Sequence, residues 1–176
     1  MKYALVYGGI AGAIIICVIS AGLVFELPDH LQSEWFGYLV MLAGLSLIFV
    51  AVKRYRDVER GGIIRFLPAL GLGLGVALVA AILYVLGWEA VLAGSGRDFI
   101  AEYSAGIVQS MQADGAPAAA IQAKQAELAQ IGEAYKNPLF RMPITFLEIA
   151  PVGLIVAFVS AAILRDPRVL PARRAA

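Results

Sequence analysis

Ala4–Phe25, ALVYGGIAGAIIICVISAGLVF, runs from one end to the other without a charged residue. A hydrocarbon layer of about 30 Å takes roughly 20 helical residues at about 1.5 Å each, so this stretch is long enough to cross one. Lipid offers backbone amides no hydrogen-bond partner, so a crossing segment of this kind has to be a helix. Outward from it, Trp35–Val52 is equally clean between Glu34 and Lys53. A third run extends from about Phe66 to Trp88, and a fourth from about Ile144 to Leu164 is interrupted only by Glu148. The prediction is an all-α membrane protein: a four-transmembrane-helix bundle in a single integral membrane domain.

Composition agrees. The chain is 61% apolar and 15% charged, against roughly 45–50% and 25% in soluble domains. A cleaved signal peptide is the alternative for the first run, since Lys2 precedes it and Ser20, Ala21 and Gly22 lie near its end. Its apolar length exceeds the usual signal core, which favours a retained span. A lipoprotein reading of Cys17 fails because the bulky Ile14, Ile15 and Ile16 precede it.

Lys and Arg are retained on the cytoplasmic side of short loops, which gives an orientation. Lys53, Arg54, Arg56, Arg60 and Arg65 stand between spans two and three, whereas Glu26, Asp29, His30 and Glu34 stand between spans one and two. Arg165, Arg168, Arg173 and Arg174 follow span four. Both termini are therefore expected in the cytoplasm, consistent with Lys2. The segment between spans three and four is left outside, its Arg97, Lys124, Lys136 and Arg141 diluted over a longer stretch where the rule is weak. Fourteen basic and thirteen acidic residues nearly cancel, so no net charge draws the protein to nucleic acid. Lys53-Arg54-Tyr55-Arg56 and Arg60 are read as contacts to anionic lipid headgroups.

Residues 94–143 are the only long stretch that water must reach, and they are expected to form an extracytoplasmic helical hairpin. Ile100, Tyr103, Ile107 and Met111 recur at helical spacing. Asp114, Gly115 and Pro117 break that helix, and Asp114 is expected to cap a second one through Ile121, Leu128, Ile131 and Tyr135, ending before Asn137-Pro138.

Few side chains suggest chemistry. Glu89 follows Trp88 at the outer end of span three, and Glu148 lies about one turn inside span four. Ionisable groups at such depth are costly unless paired or wet. A proton or cation site is one reading, and glutamates satisfied by Arg141, Tyr135 or a helix N-terminus are the other. Pro151 lacks an amide hydrogen and is expected to bend span four beside Glu148. Gly8 with Gly12, and Gly71 with Gly75, have the spacing of close helix contacts, inside the bundle or between copies. Gly71-Leu-Gly-Leu-Gly75 follows no strand and precedes no phosphate-binding lysine, so it is no nucleotide loop. With His30 and Cys17 each the only residue of its type, neither a histidine nor a thiolate metal cluster is expected, and no Ser-His-Asp or HExxH pattern exists. No cofactor is expected.

Gly37-Tyr38-Leu39-Val40-Met41, Val52-Lys53-Arg54-Tyr55-Arg56-Asp57 with Gly61-Gly62, and Tyr84-Val85 with Trp88-Glu89 carry a family resemblance. So do Tyr135-Lys136-Asn137-Pro138-Leu139-Phe140-Arg141, Thr145-Phe146-Leu147-Glu148 and Pro151-Val152-Gly153-Leu154. Over nearly its whole length the chain resembles the bacterial domain-of-unknown-function family 4199. The resemblance implies a bacterial inner-membrane protein and brings no established activity. It also gathers its motif residues at a junction of Trp88, Glu89, Tyr135, Asn137, Pro138, Arg141, Glu148 and Pro151, where Arg141 is expected to reach Glu148. Three functions follow in order of preference: a non-enzymatic accessory or scaffold subunit that presents the outer hairpin to a membrane-protein partner, a small oligomeric transporter or channel using Glu148 and the Pro151 kink, and an outward-facing enzyme acting on lipid or envelope precursors. Membrane lipids are the expected surroundings, and a homo-oligomer is the alternative to a separate partner.

Overall fold

The computed structural model describes residues 1–24, 34–96 and 98–172. Phe25, Glu26, Asp29, His30, Arg97, Arg173 and Arg174, used in the readings above, lie outside the described residues. Seven α-helices and no strand occur among the described residues: α1 (Lys2–Val24), α2 (Glu34–Leu45), α3 (Leu47–Glu59), α4 (Phe66–Ser95), α5 (Phe99–Ala113), α6 (Ala118–Tyr135) and α7 (Pro138–Leu164). Four segments are long and apolar enough to cross a membrane: Lys2–Gly22, Trp35–Glu59, Phe66–Ser95 and Pro138–Leu164. The second is α2 and α3 in succession. Ser46 interrupts it, its Oγ bonding back to the Ala43 carbonyl at 2.6 Å while the Phe49 amide reaches the Ser46 carbonyl at 3.0 Å. Such back-bonding competes with the regular ladder and turns a helix. Pro151, where the sequence suggested a bend, lies inside the uninterrupted α7.

The chain divides into two compact units, Met1–Trp88 with Phe146–Ala176, and Glu89–Thr145. In the first, alanines share the buried core with Ile15, Leu45, Ile48 and Ile149, and large apolar side chains also cover the outside. Ala11, Ala51, Ala69, Ala80, Ala157 and Ala161 are fully buried, whereas Leu5, Leu39, Leu67, Leu78, Leu154 and Phe158 are more than half exposed. Large apolar side chains on the outside suit a lipid surround, where close packing of small residues joins the helices. A side-chain carbon on Gly8 would stand 2.6 Å from Val79 Cβ and 2.7 Å from the Val76 carbonyl, and one on Gly12 would stand 2.9 Å from the Ala80 carbonyl. Backbone cannot yield as a side chain does, so α1 meets α4 only because both positions lack Cβ. The expected Gly71–Gly75 pair is placed differently. Gly75 faces Ala4 Cβ at 3.3 Å and Gly73 faces Ala157 at 3.0 Å, while Gly71 is exposed with nothing within 4 Å. Residues 71 and 73 are about 200° apart on a helix, so one that faces a neighbour turns the other away.

In the second unit, Asp98 caps α5 by accepting the Ala101 amide at 3.0 Å. Asp114 does not cap α6 as the sequence suggested; it closes α5, its amide bonding to the Ser110 and Gln112 carbonyls. Gly115 follows at φ +72°, the left-handed position that ends a helix, and Pro117 stands at the start of α6. α5 and α6 contact one another, with Leu128 buried and a side chain on Gly132 limited by Ile100 at 3.2 Å. Asn137, read from sequence as a stop for α6, starts α7. Its Oδ1 accepts the Leu139 amide at 3.0 Å and its carbonyl accepts the Phe140 and Arg141 amides. Pro138 then takes the first helical position, where no amide hydrogen is needed.

Candidate functional site

The residues singled out by sequence fall into three polar clusters. In the second unit, Arg141 Nε donates to Glu89 Oε1 at 2.7 Å, Nη2 donates to Oε2, and Nη1 donates to the Tyr135 carbonyl at 3.0 Å. The guanidinium also lies 5.6 Å from the Tyr135 ring centroid. The Arg141 and Glu89 side chains are 14% and 17% exposed. A forked pair of this kind is strong and directional, and cation–π contact adds to it. Both Glu89 oxygens accept from Arg141, so a proton or cation at this carboxylate competes with the guanidinium. The donors of Arg141 thus go to Glu89 and the Tyr135 carbonyl, among the pairings that the sequence left open. Beside this cluster a cavity of about 880 Å³ opens between α5 and α6, its wall including Phe99, Ile100, Leu128, Gln109, Gln112 and Gln125. Lys136, at its rim, pairs with Glu133 at 2.7 Å, which raises the ammonium pKa above its ordinary value.

In the first unit, Glu148 is exposed on α7 and accepts a hydrogen bond from the Tyr84 hydroxyl at 3.3 Å. Pro151 is exposed one turn further on, and Trp88 is half-buried on α4. Tyr84 is buried and was missed as a partner. Sequence reasoning had only its place in a family motif to go on.

The third cluster overturns one expectation. Arg56, taken with its basic neighbours as a lipid-headgroup contact, is 0% exposed. Its Nε donates to Asp57 Oδ1 at 2.7 Å, and Nη1 and Nη2 donate to the backbone carbonyls of Leu164, Val169 and Leu170. Lys53 closes the other Asp57 oxygen at 2.6 Å. The cause is helical phase. Ile48, Val52 and Arg56 follow one another at four-residue steps, and all three are fully buried, so Arg56 enters the core and must find internal partners. Three carbonyls at the end of α7 and just beyond supply them. Lys53 keeps partial exposure, Arg54 is exposed, and Arg60 donates to the Tyr55 hydroxyl at 3.0 Å. Among the described residues no group of three or more His, Cys, Asp or Glu could hold a metal ion.

The family model described as "Protein of unknown function (DUF4199)" matches residues 2–166. The chain belongs to the DUF4199 family. That match includes the first two clusters, the α5–α6 cavity and the four apolar segments of the DUF4199 chain, and from the third cluster Lys53, Arg56, Asp57 and Leu164, while Val169 and Leu170 lie beyond it. No curated protein and no solved structure matches it.

Proposed function

We propose that this DUF4199 protein is a non-enzymatic accessory subunit of a bacterial inner membrane, with both termini cytoplasmic and α5 and α6 forming an extracytoplasmic hairpin that holds a segment of a partner protein. The cavity between α5 and α6 carries the reading. Its wall joins apolar Phe99, Ile100 and Leu128 to the amides of Gln109, Gln112 and Gln125. Each glutamine amide offers both donors and an acceptor, which is what a polypeptide backbone needs from a groove, and the apolar floor takes its side chains. The Glu89–Arg141–Tyr135 cluster braces the helix ends beside the groove. A photo-crosslinker at Ser104, on the wall of the cavity, tests the reading in native membranes. One protein adduct, stoichiometric by native mass after mild-detergent purification and abolished by Gln109→Glu with Gln125→Glu, is the expected result. An intact protein that crosslinks to no polypeptide refutes it.

A second reading, a small oligomeric transporter or channel, draws on Glu148. A carboxylate exposed on an apolar helix, with the Tyr84 hydroxyl donating to it, is costly in lipid, and a second copy or a wet path would lower that cost. Solute flux in liposomes that disappears in Glu148→Gln supports this reading, and equal flux in both proteins removes it.

A further inference from the structure

Lys53, Arg56 and Arg60 are engaged with Asp57 and Tyr55, which leaves the question of which basic residues at this end of the protein are free for a ligand. Two stand out by position. Arg65 immediately precedes the apolar segment Phe66–Ser95, and Arg165 immediately follows Pro138–Leu164. Both are exposed, and neither side chain makes a hydrogen bond or ion pair among the described residues. Both line the same cavity of about 720 Å³, together with Ile63, Phe66, Ile163 and Val169. We propose that this shelf binds the phosphodiester headgroup of an anionic phospholipid, with Arg65 and Arg165 as its two cationic contacts.

Depth is the first support. Residues that directly flank a crossing segment lie where lipid phosphates lie. Tyr3 and Tyr55 pack edge to face at 5.5 Å between α1 and α3 near the same end of the helices, as aromatic side chains do at a membrane interface. Rigidity is the second. The wall formed by residues 165–169 is set by the buried Arg56, whose guanidinium donates to the carbonyls of Leu164 on one side and Val169 and Leu170 on the other. A shelf already shaped before binding spares the ligand the cost of ordering it. Charge is the third. Asp166 also lines the cavity, but its Oδ1 accepts the Arg168 amide at 2.9 Å, and two cations face one acid. The apolar surround selects among anions. Phe66 packs edge to face on Phe158 at 5.4 Å, and Ile63, Leu67, Phe158 and Ile163 present apolar surface outward. A phospholipid offers both phosphate and chains to such a surface, whereas inorganic phosphate offers only the first.

Native mass spectrometry of the full chain in micelles doped equally with phosphatidylglycerol and phosphatidylcholine tests the site. Each basic residue beside an anionic headgroup contributes on the order of a five-fold gain, so two predict a preference of about 30-fold for the anionic lipid. The Arg65→Gln, Arg165→Gln double variant should bind the two lipids equally, while Lys124→Gln, which removes a charge on α6 outside the shelf, should keep the preference. Both replaced arginines are exposed and unpaired among the described residues, and an unchanged helical circular dichroism spectrum establishes that the variants fold. A preference that survives in the double variant, that falls equally in Lys124→Gln, or that excess inorganic phosphate abolishes would overturn the proposal.

Discussion

Replacing Arg56 by alanine removes a guanidinium that reaches from α3 to residues more than a hundred positions later in the chain. The structure sets the size of the effect. Asp57, with its side chain 17% exposed, keeps Lys53 at 2.6 Å and is not orphaned. The carbonyls of Leu164, Val169 and Leu170 lose a charged donor, and the arginine stem leaves a void beside Val52. Hydrogen bonds to a charged group are worth about 1.5–3 kcal/mol, and breaking a buried charged contact costs about 3–5 kcal/mol. Since these carbonyls lie at the end of α7 and in the non-helical segment after it, and water can reach them once that segment lifts, the lower figure applies, about 3 kcal/mol. The loss is local, because residues 165–172 can detach without opening the helix core. Leu170, held at φ +48° with its carbonyl on Arg56, would relax as it leaves, since a leucine seldom adopts that conformation.

Limited trypsinolysis reads the change directly, because Arg168-Val169 is a cleavable bond inside the segment. When opening and closing are fast, cleavage tracks the population of the open form. About 3 kcal/mol then corresponds to roughly a hundred-fold faster release of the C-terminal peptide. Arg56→Lys keeps the charge without the fork and should fall between wild type and alanine. An Arg56→Ala protein that releases this peptide at the wild-type rate would refute the role assigned to Arg56.

Three further outcomes follow from particular contacts. Arg141→Ala should loosen the second unit by about 2 kcal/mol, because the pair with Glu89 is mostly shielded from water, and a double-mutant cycle with Glu89→Gln on amide exchange over residues 89–145 should recover a coupling of at least about 1 kcal/mol. Asn137→Ala removes the side-chain acceptor at the start of α7 and should cost about 1 kcal/mol, seen as faster amide exchange at Leu139. Gly8→Ala should destabilise the protein by roughly 1–3 kcal/mol in thermal unfolding, because the added carbon meets the Val76 carbonyl at 2.7 Å, while Gly71→Ala, with nothing within 4 Å, should be neutral or stabilising by up to about 1 kcal/mol.

The apolar helices were legible because absence of charge over about twenty residues is a local property of sequence, read without knowing what lies opposite. Helix caps were half legible. Asp98, Asp114 and Asn137 all have capping chemistry, but which of two adjoining helices each serves depends on the next glycine or proline. Gly115 assigns Asp114 to the end of α5, and Pro138 assigns Asn137 to the start of α7. Pairings across long separations were legible only as alternatives. Glu89 and Arg141 are 52 residues apart and Tyr84 and Glu148 are 64 apart, and charge alone does not say which of the available acids an arginine reaches.

Arg56 shows how far a local signal could have gone. In Lys53-Arg54-Tyr55-Arg56 every basic residue looks alike by composition, and topology gives a reason for a cluster of them at a membrane edge. Helical phase separates them: continuing the Ile48 and Val52 step by four selects Arg56 and no other as the inward residue. A buried arginine at the end of a span then requires acceptors, and the unsatisfied carbonyls at the C-terminus of another helix are the ones a membrane bundle has available at that depth. The charge that appears to advertise a lipid contact is therefore used to shape the chain's own C-terminal segment. For the proposed lipid shelf, Arg65 and Arg165 qualify by their positions next to the spans and not by membership of a basic run.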